Sequence, residues 1–88
     1  MPTIAYFYGI AIRMYQREHP PPHFHAVYAE HDAVVSIETG DVLDGWLPRT
    51  AANLVKQWAL AHRQGLLDNW ARHEKGLPLR RLPGLGED

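Results

Sequence analysis

Two histidines separated by one residue, His23 and His25, close the segment Arg17-Glu18-His19-Pro20-Pro21-Pro22-His23-Phe24-His25-Ala26. On a β-strand, residues two apart point to one face with Cα atoms about 6.5–7 Å apart. Imidazoles at that separation converge on one metal ion or one phosphate. A His-x-His pair with a third histidine from elsewhere holds zinc or another divalent metal, and the candidate third ligands are His19 and His62. Glu18 is the only carboxylate close in sequence that could complete such a site. The three prolines fix φ near −65° and predict a stiff polyproline II segment that keeps His19 at a fixed reach from His23.

Imidazoles also cleave RNA by general acid–base chemistry, because their pKa lies near neutrality. His23 or His25 as base, another histidine as acid, and Arg13 or Arg63 near the phosphate would suffice. The candidate catalytic residues are therefore His19, His23, His25, His62 and Arg13. The candidate metal ligands are His23, His25 and His62, and a zinc-type divalent ion is the only cofactor these residues suggest. Ser36 is the single serine and falls mid-strand, and no glycine-rich phosphate loop occurs.

A buried histidine is more often a hydrogen-bonded core residue than a ligand. That reading suits His62, whose ring can bond a carbonyl while packing beneath Trp58 or Leu66. It suits His31 in a turn, and His73 near a helix end, where a cation is favoured. It explains His19, His23 and His25 behind a proline clamp less well. Trp58 and Trp70 read as core, Trp46 as an exposed contact for a partner, and the tyrosine hydroxyls as neighbours of the histidine site.

The elements that would position these residues divide the chain in two. Ile10–Tyr15 alternates in period two, with Ile10, Ile12 and Met14 on one face. His23–Ala29 alternates likewise, with Phe24, Ala26 and Tyr28 opposite His23, His25 and Val27. Ala33–Ile37 is a third strand after a turn at Glu30–Asp32, and Val42–Leu47 a short fourth. Thr3–Tyr8 is either a separate strand or an extended arm. Short turns between neighbours predict an antiparallel meander. From Pro48 onward, Ala51, Leu54, Val55, Trp58, Ala59 and His62 recur at helical spacing, and the phase continues through Leu66, Asn69, Trp70 and His73. Gly65 interrupts it, which predicts one kinked helix or two helices jointed there; Gly76-Leu77-Pro78 stops it. The expected fold class is α+β: an antiparallel sheet of three to four strands packed against a C-terminal helical segment. Residues 1–78 form one domain, with strands within 3–47 and helix within 48–76, and residues 79–88 form an extended or frayed tail.

The chain has 88 residues and no cysteine, which excludes a disulfide scaffold, thiolate zinc fingers, iron–sulfur clusters and thiol catalysis. At this size a self-sufficient core is near its lower limit, so a partner or a second copy of the chain is compatible with it. Met1-Pro2-Thr3-Ile4 lacks the basic and apolar regions of a signal peptide, and no run reaches the roughly 20 apolar residues of a membrane span. The expectation is a cytoplasmic domain without a membrane partner. The net charge of −1 conceals an asymmetry. Residues 1–47 carry two basic against six acidic residues, net −4, and residues 48–88 carry seven against four, net +3. A basic helical half offers RNA, DNA or an acidic protein a weak electrostatic footprint.

Phe7–Tyr15, the string Pro21-Pro22-His23-Phe24-His25-Ala26, Ile37-Glu38-Thr39-Gly40, Leu47-Pro48-Arg49, Trp58-Ala59 with His62, and Asn69-Trp70 together resemble the bacterial family called domain of unknown function 4160. The resemblance extends to about Pro78. Gly65 departs from it, standing where a helix-favouring residue is expected, and the tail beyond Pro78 has no counterpart. The resemblance implies one half of a small prokaryotic two-gene module of the type II toxin–antitoxin kind. The chain would be the toxin-like member and the product of the neighbouring gene its antitoxin-like partner. It implies no catalytic residues; His19, His23, His25 and His62 match its pattern and remain the candidates on chemical grounds. The other readings are a non-enzymatic protein-interaction module with structural histidines, and a metal-binding domain.

Overall fold

The computed structural model describes residues 3–15 and 18–86. Met1, Pro2, Gln16, Arg17, Glu87 and Asp88, and with them the first residues of the expected domain and the end of its tail, lie outside the described residues. Five strands come first: β1 (Thr3–Phe7), β2 (Ile10–Arg13), β3 (His23–Tyr28), β4 (His31–Ser36) and β5 (Val42–Gly45). They form one antiparallel sheet in the order β1-β2-β3-β4-β5. Two helices follow, α1 (Arg49–Ala61) and α2 (Arg63–Glu74), so the class is α+β.

The sheet exceeds the expected three to four strands because Thr3–Phe7 pairs with β2 instead of leaving as an arm. Tyr8 and Gly9, both at positive φ (49° and 78°), make a two-residue turn between the partners Phe7 and Ile10. Turns of this kind match the twist of the strands they join. The β3–β4 turn is equally tight. Ala29 (φ 53°) and Glu30 connect the partners Tyr28 and His31, so His31 and Asp32 belong to β4 and not to a turn.

The period-two alternation sorts the two faces. Ile10, Ile12, Phe24, Ala26, Ala33 and Val35 are buried beneath Ala51, Val55, Trp58, Ala59, Leu66 and Trp70 of the helices. Trp58 is fully buried, with ring centroids 5.3 Å from Phe7 and 5.8 Å from Phe24. Its indole N–H donates to the Pro83 carbonyl at 2.8 Å, so the largest core side chain leaves no buried donor unpaired.

The helical segment breaks at His62 (φ −115°, ψ 26°), ahead of Gly65, which lies within α2. A helix tolerates glycine at about 1 kcal/mol relative to alanine. Here a Cβ at position 65 would stand 2.9 Å from Leu82 Cδ2, so the glycine makes room for the tail. That tail is extended and held down. The buried Asn69 side chain bonds the Arg80 backbone in both directions, at 2.9 and 2.8 Å. Leu82 N–H donates to the Ile4 carbonyl at 2.7 Å, and Leu79, Leu82 and Leu85 pack against the core.

Candidate functional site

His23 and His25 leave β3 on the face opposite Phe24 and Ala26, as the alternation requires. The segment returning from β2 carries Glu18 back to them. Glu18 Oε1 lies 2.7 Å from His25 Nε2, and Glu18 Oε2 lies 3.3 Å from His23 Nε2. One carboxylate thus spans two imidazoles whose ring centroids are 5.7 Å apart. A donor atom from each of Glu18, His23 and His25 falls within 4.8 Å of the others, and no other such group of histidine and acidic residues occurs among the described residues.

The far side of each ring is also oriented by oxygen. His23 Nδ1 is 2.8 Å from the Pro21 carbonyl. A carbonyl only accepts, so Nδ1 carries the proton and donates. His25 Nδ1 is 3.6 Å from Asp32 Oδ1, an ion-pair distance. Asp32 reaches His25 because the β3–β4 register pairs it with Val27, the next residue on the face of His25. Partial burial pushes the Glu18 carboxyl up, but the hydrogen bonds from His25 and His23, with their charges, outweigh it and hold the group below the ordinary carboxylate range.

Aromatic and helical residues frame the group. Tyr15 meets His25 edge-on at 4.4 Å, and Trp70 of α2 lies 5.2 Å from His23. The Glu18 backbone N–H donates to His73 Nε2 at 3.0 Å, tying the segment to the last turns of α2. His73 Nδ1 is buried without a hydrogen-bond partner. Arg13 is the register partner of His25 on β2, so both side chains leave the same face, and its buried Nε has no hydrogen-bond partner.

The other candidates lie elsewhere. His19 is exposed and outside the group. His62 stands at the joint between the helices, stacked on Trp58 at 5.3 Å and 25°, with Nδ1 3.1 Å from the Trp58 carbonyl. The proline segment contains a cis Pro20–Pro21 peptide, so it is not the continuous polyproline II run its composition predicts. Its contribution to the site is the Pro21 carbonyl. Asp32 and His73 complete the surroundings, and sequence reasoning missed both. Recognising the turn as Ala29–Glu30 would have placed Asp32; His73 reaches Glu18 across 55 residues through tertiary packing alone.

At the opposite end of the sheet, Tyr8, Tyr28, Thr50 and Leu54 border a cleft of about 300 Å³ that shares no residue with this group. No helix among the described residues is long and apolar enough to cross a membrane.

No curated protein and no solved structure matches the chain. A family model described as Domain of unknown function (DUF4160) matches residues 9–71, well over half the chain, and spans Arg13, Glu18, His23 and His25. The chain belongs to this family.

Proposed function

We propose that the chain is the toxin-like member of a prokaryotic two-gene module and that its Glu18–His23–His25 centre acts on the phosphodiester of RNA. The observation that carries the reading is the single carboxylate spanning both imidazoles at 2.7 and 3.3 Å, beside an arginine whose Nε is unpartnered. Strand cleavage without a cofactor redox change needs two proton transfers. A base takes the proton of the 2′-hydroxyl as its oxygen bonds to phosphorus. An acid delivers a proton to the 5′-oxygen as the bond from phosphorus to that oxygen breaks. The products are a 2′,3′-cyclic phosphate and a 5′-hydroxyl, and no further reactant is consumed. Imidazole nitrogens that can take up and give back a proton meet both needs, and the Arg13 guanidinium is a cation on the same face that suits a phosphate.

The test is expression in a bacterial host of the wild type and a His23→Ala/His25→Ala chain, each with and without the neighbouring gene. Growth arrest by the wild type alone, relieved by the substitutions and by the neighbour, supports the reading. Unaffected growth in every arm contradicts it.

A second reading, a non-enzymatic interaction module, draws support from β5. This edge strand is exposed throughout, with Leu43 within it 51% exposed and Trp46 just after it 59% exposed. Apolar side chains on an unpaired edge suit strand addition by a partner. Under that reading Leu43→Lys would abolish binding of the neighbouring gene's product, whereas the histidine substitutions would leave it intact.

A further inference from the structure

We infer that Glu18, His23 and His25 form a binding site for one divalent cation of the zinc kind. The inference deepens the preceding reading and rests on it only for the reaction, not for the site. Its basis is the inventory of donors and acceptors. A neutral imidazole has one N–H. At His23 that proton is committed to the Pro21 carbonyl, so the Nε2 lone pair faces the Glu18 carboxylate at 3.3 Å. At His25 both nitrogens face carboxylates, Glu18 on Nε2 and Asp32 on Nδ1. A lone pair facing a carboxylate calls for positive charge between them; a second proton on each ring supplies it, and one cation shared by Glu18 and both Nε2 atoms supplies it to all three groups at once.

The geometry suits that occupant. Bonds of about 2.0–2.1 Å set tetrahedral ligand atoms about 3.4 Å apart, close to the 3.3 Å between His23 Nε2 and Glu18 Oε2, whereas the 2.7 Å between His25 Nε2 and Glu18 Oε1 is a hydrogen bond that would open by about 0.7 Å around the ion. Ligating histidines characteristically hand their other ring nitrogen to a backbone carbonyl or a carboxylate, which fixes tautomer and ring orientation. Pro21 and Asp32 provide one of each. Two imidazoles and one carboxylate leave a coordination position open, the arrangement of catalytic rather than structural zinc. A water there would be acidified toward neutrality and could act as base beside Arg13. His62 takes no part, since it stands at the joint between the helices, outside the group.

The experiment uses the full chain, stripped with chelator, dialysed, and titrated with Zn²⁺ by calorimetry and with Co²⁺ by visible absorption. The expected result is one equivalent bound, with cobalt bands of a four- or five-coordinate site. His23→Ala and His25→Ala should each weaken binding at least about 100-fold. Asp32→Asn should weaken it about 10–100-fold as an orienting residue, and His62→Ala should not change it. Glu18→Gln keeps the shape of the side chain and guards against loss of fold; it should weaken binding with an unchanged circular dichroism spectrum. No binding at 100 μM ion, or equal binding by the His23→Ala/His25→Ala chain, overturns the inference. Stoichiometric binding without RNA cleavage or growth arrest upholds the cation site and overturns the phosphodiester reading. Cleavage that persists in excess chelator upholds the phosphodiester reading and overturns the ion's part in it.

Discussion

His62 and the pair His23/His25 are the same residue type in opposite circumstances. His62 lies at the joint of α1 and α2, its ring flat on Trp58 and its Nδ1 beside the Trp58 carbonyl. A neutral imidazole serves there, its Nδ1 proton donated to that carbonyl and its face laid on the indole. His23 and His25 present both Nε2 atoms to one carboxylate, while Pro21 and Asp32 oxygens face the other side. Neutral imidazoles alone cannot satisfy that arrangement. What separates the two regions is the set of oxygens at the ring nitrogens, since both contain partly buried rings packed near tryptophan.

The largest test of this contrast lies under the helix joint. Trp58→Ala should cost about 3–5 kcal/mol by denaturant unfolding, through the cavity it leaves and the lost bond to Pro83. The two histidine regions should then part in a milder comparison. His62→Ala should cost about 1–2 kcal/mol through the lost stack and carbonyl bond, while His25→Ala should stay within about 1 kcal/mol. Equal costs at both positions would erase the distinction.

The helical side owes its shape to a long-range contact. Gly65→Ala alone should be near neutral, because about 1 kcal/mol of helix propensity offsets the displacement of Leu82. In a Leu82→Ala background the same change should stabilise by about 1 kcal/mol, and the double-mutant cycle measures the difference. The smallest effect is at acid pH in the ion-free chain. The Glu18 carboxyl is held below its ordinary value in the folded state, so its contribution is complete above the unfolded value and fades as pH falls through the folded one. Glu18→Gln should therefore lose stability less steeply than the wild type below pH about 4.5.

Local patterning made half of the site legible. Alternation on β3 separated His23 and His25 from Phe24 and Ala26, and Glu18 stood out as the nearby carboxylate. Asp32 stayed hidden because a one-residue difference in turn length decides whether it is loop or strand. His62 is a different case. The helical stripe correctly brought it toward the core side, but a stripe does not say which strand end it faces. Gly65 misled in the fold for a related reason. Glycine signals a break only when nothing fills its place, and Leu82 from the C-terminal tail fills it. The glycine and the tail are thus one packing solution.

The most direct measurement is the side-chain ¹⁵N spectrum of all six histidines during a Zn²⁺ titration of the chelator-treated chain. The account predicts that the Nε2 signals of His23 and His25 move to metal-bound positions and saturate at one equivalent, while those of His62 and His73 stay in place. Unmoved signals at His23 and His25, or a shift led by His62 or His19, would contradict it.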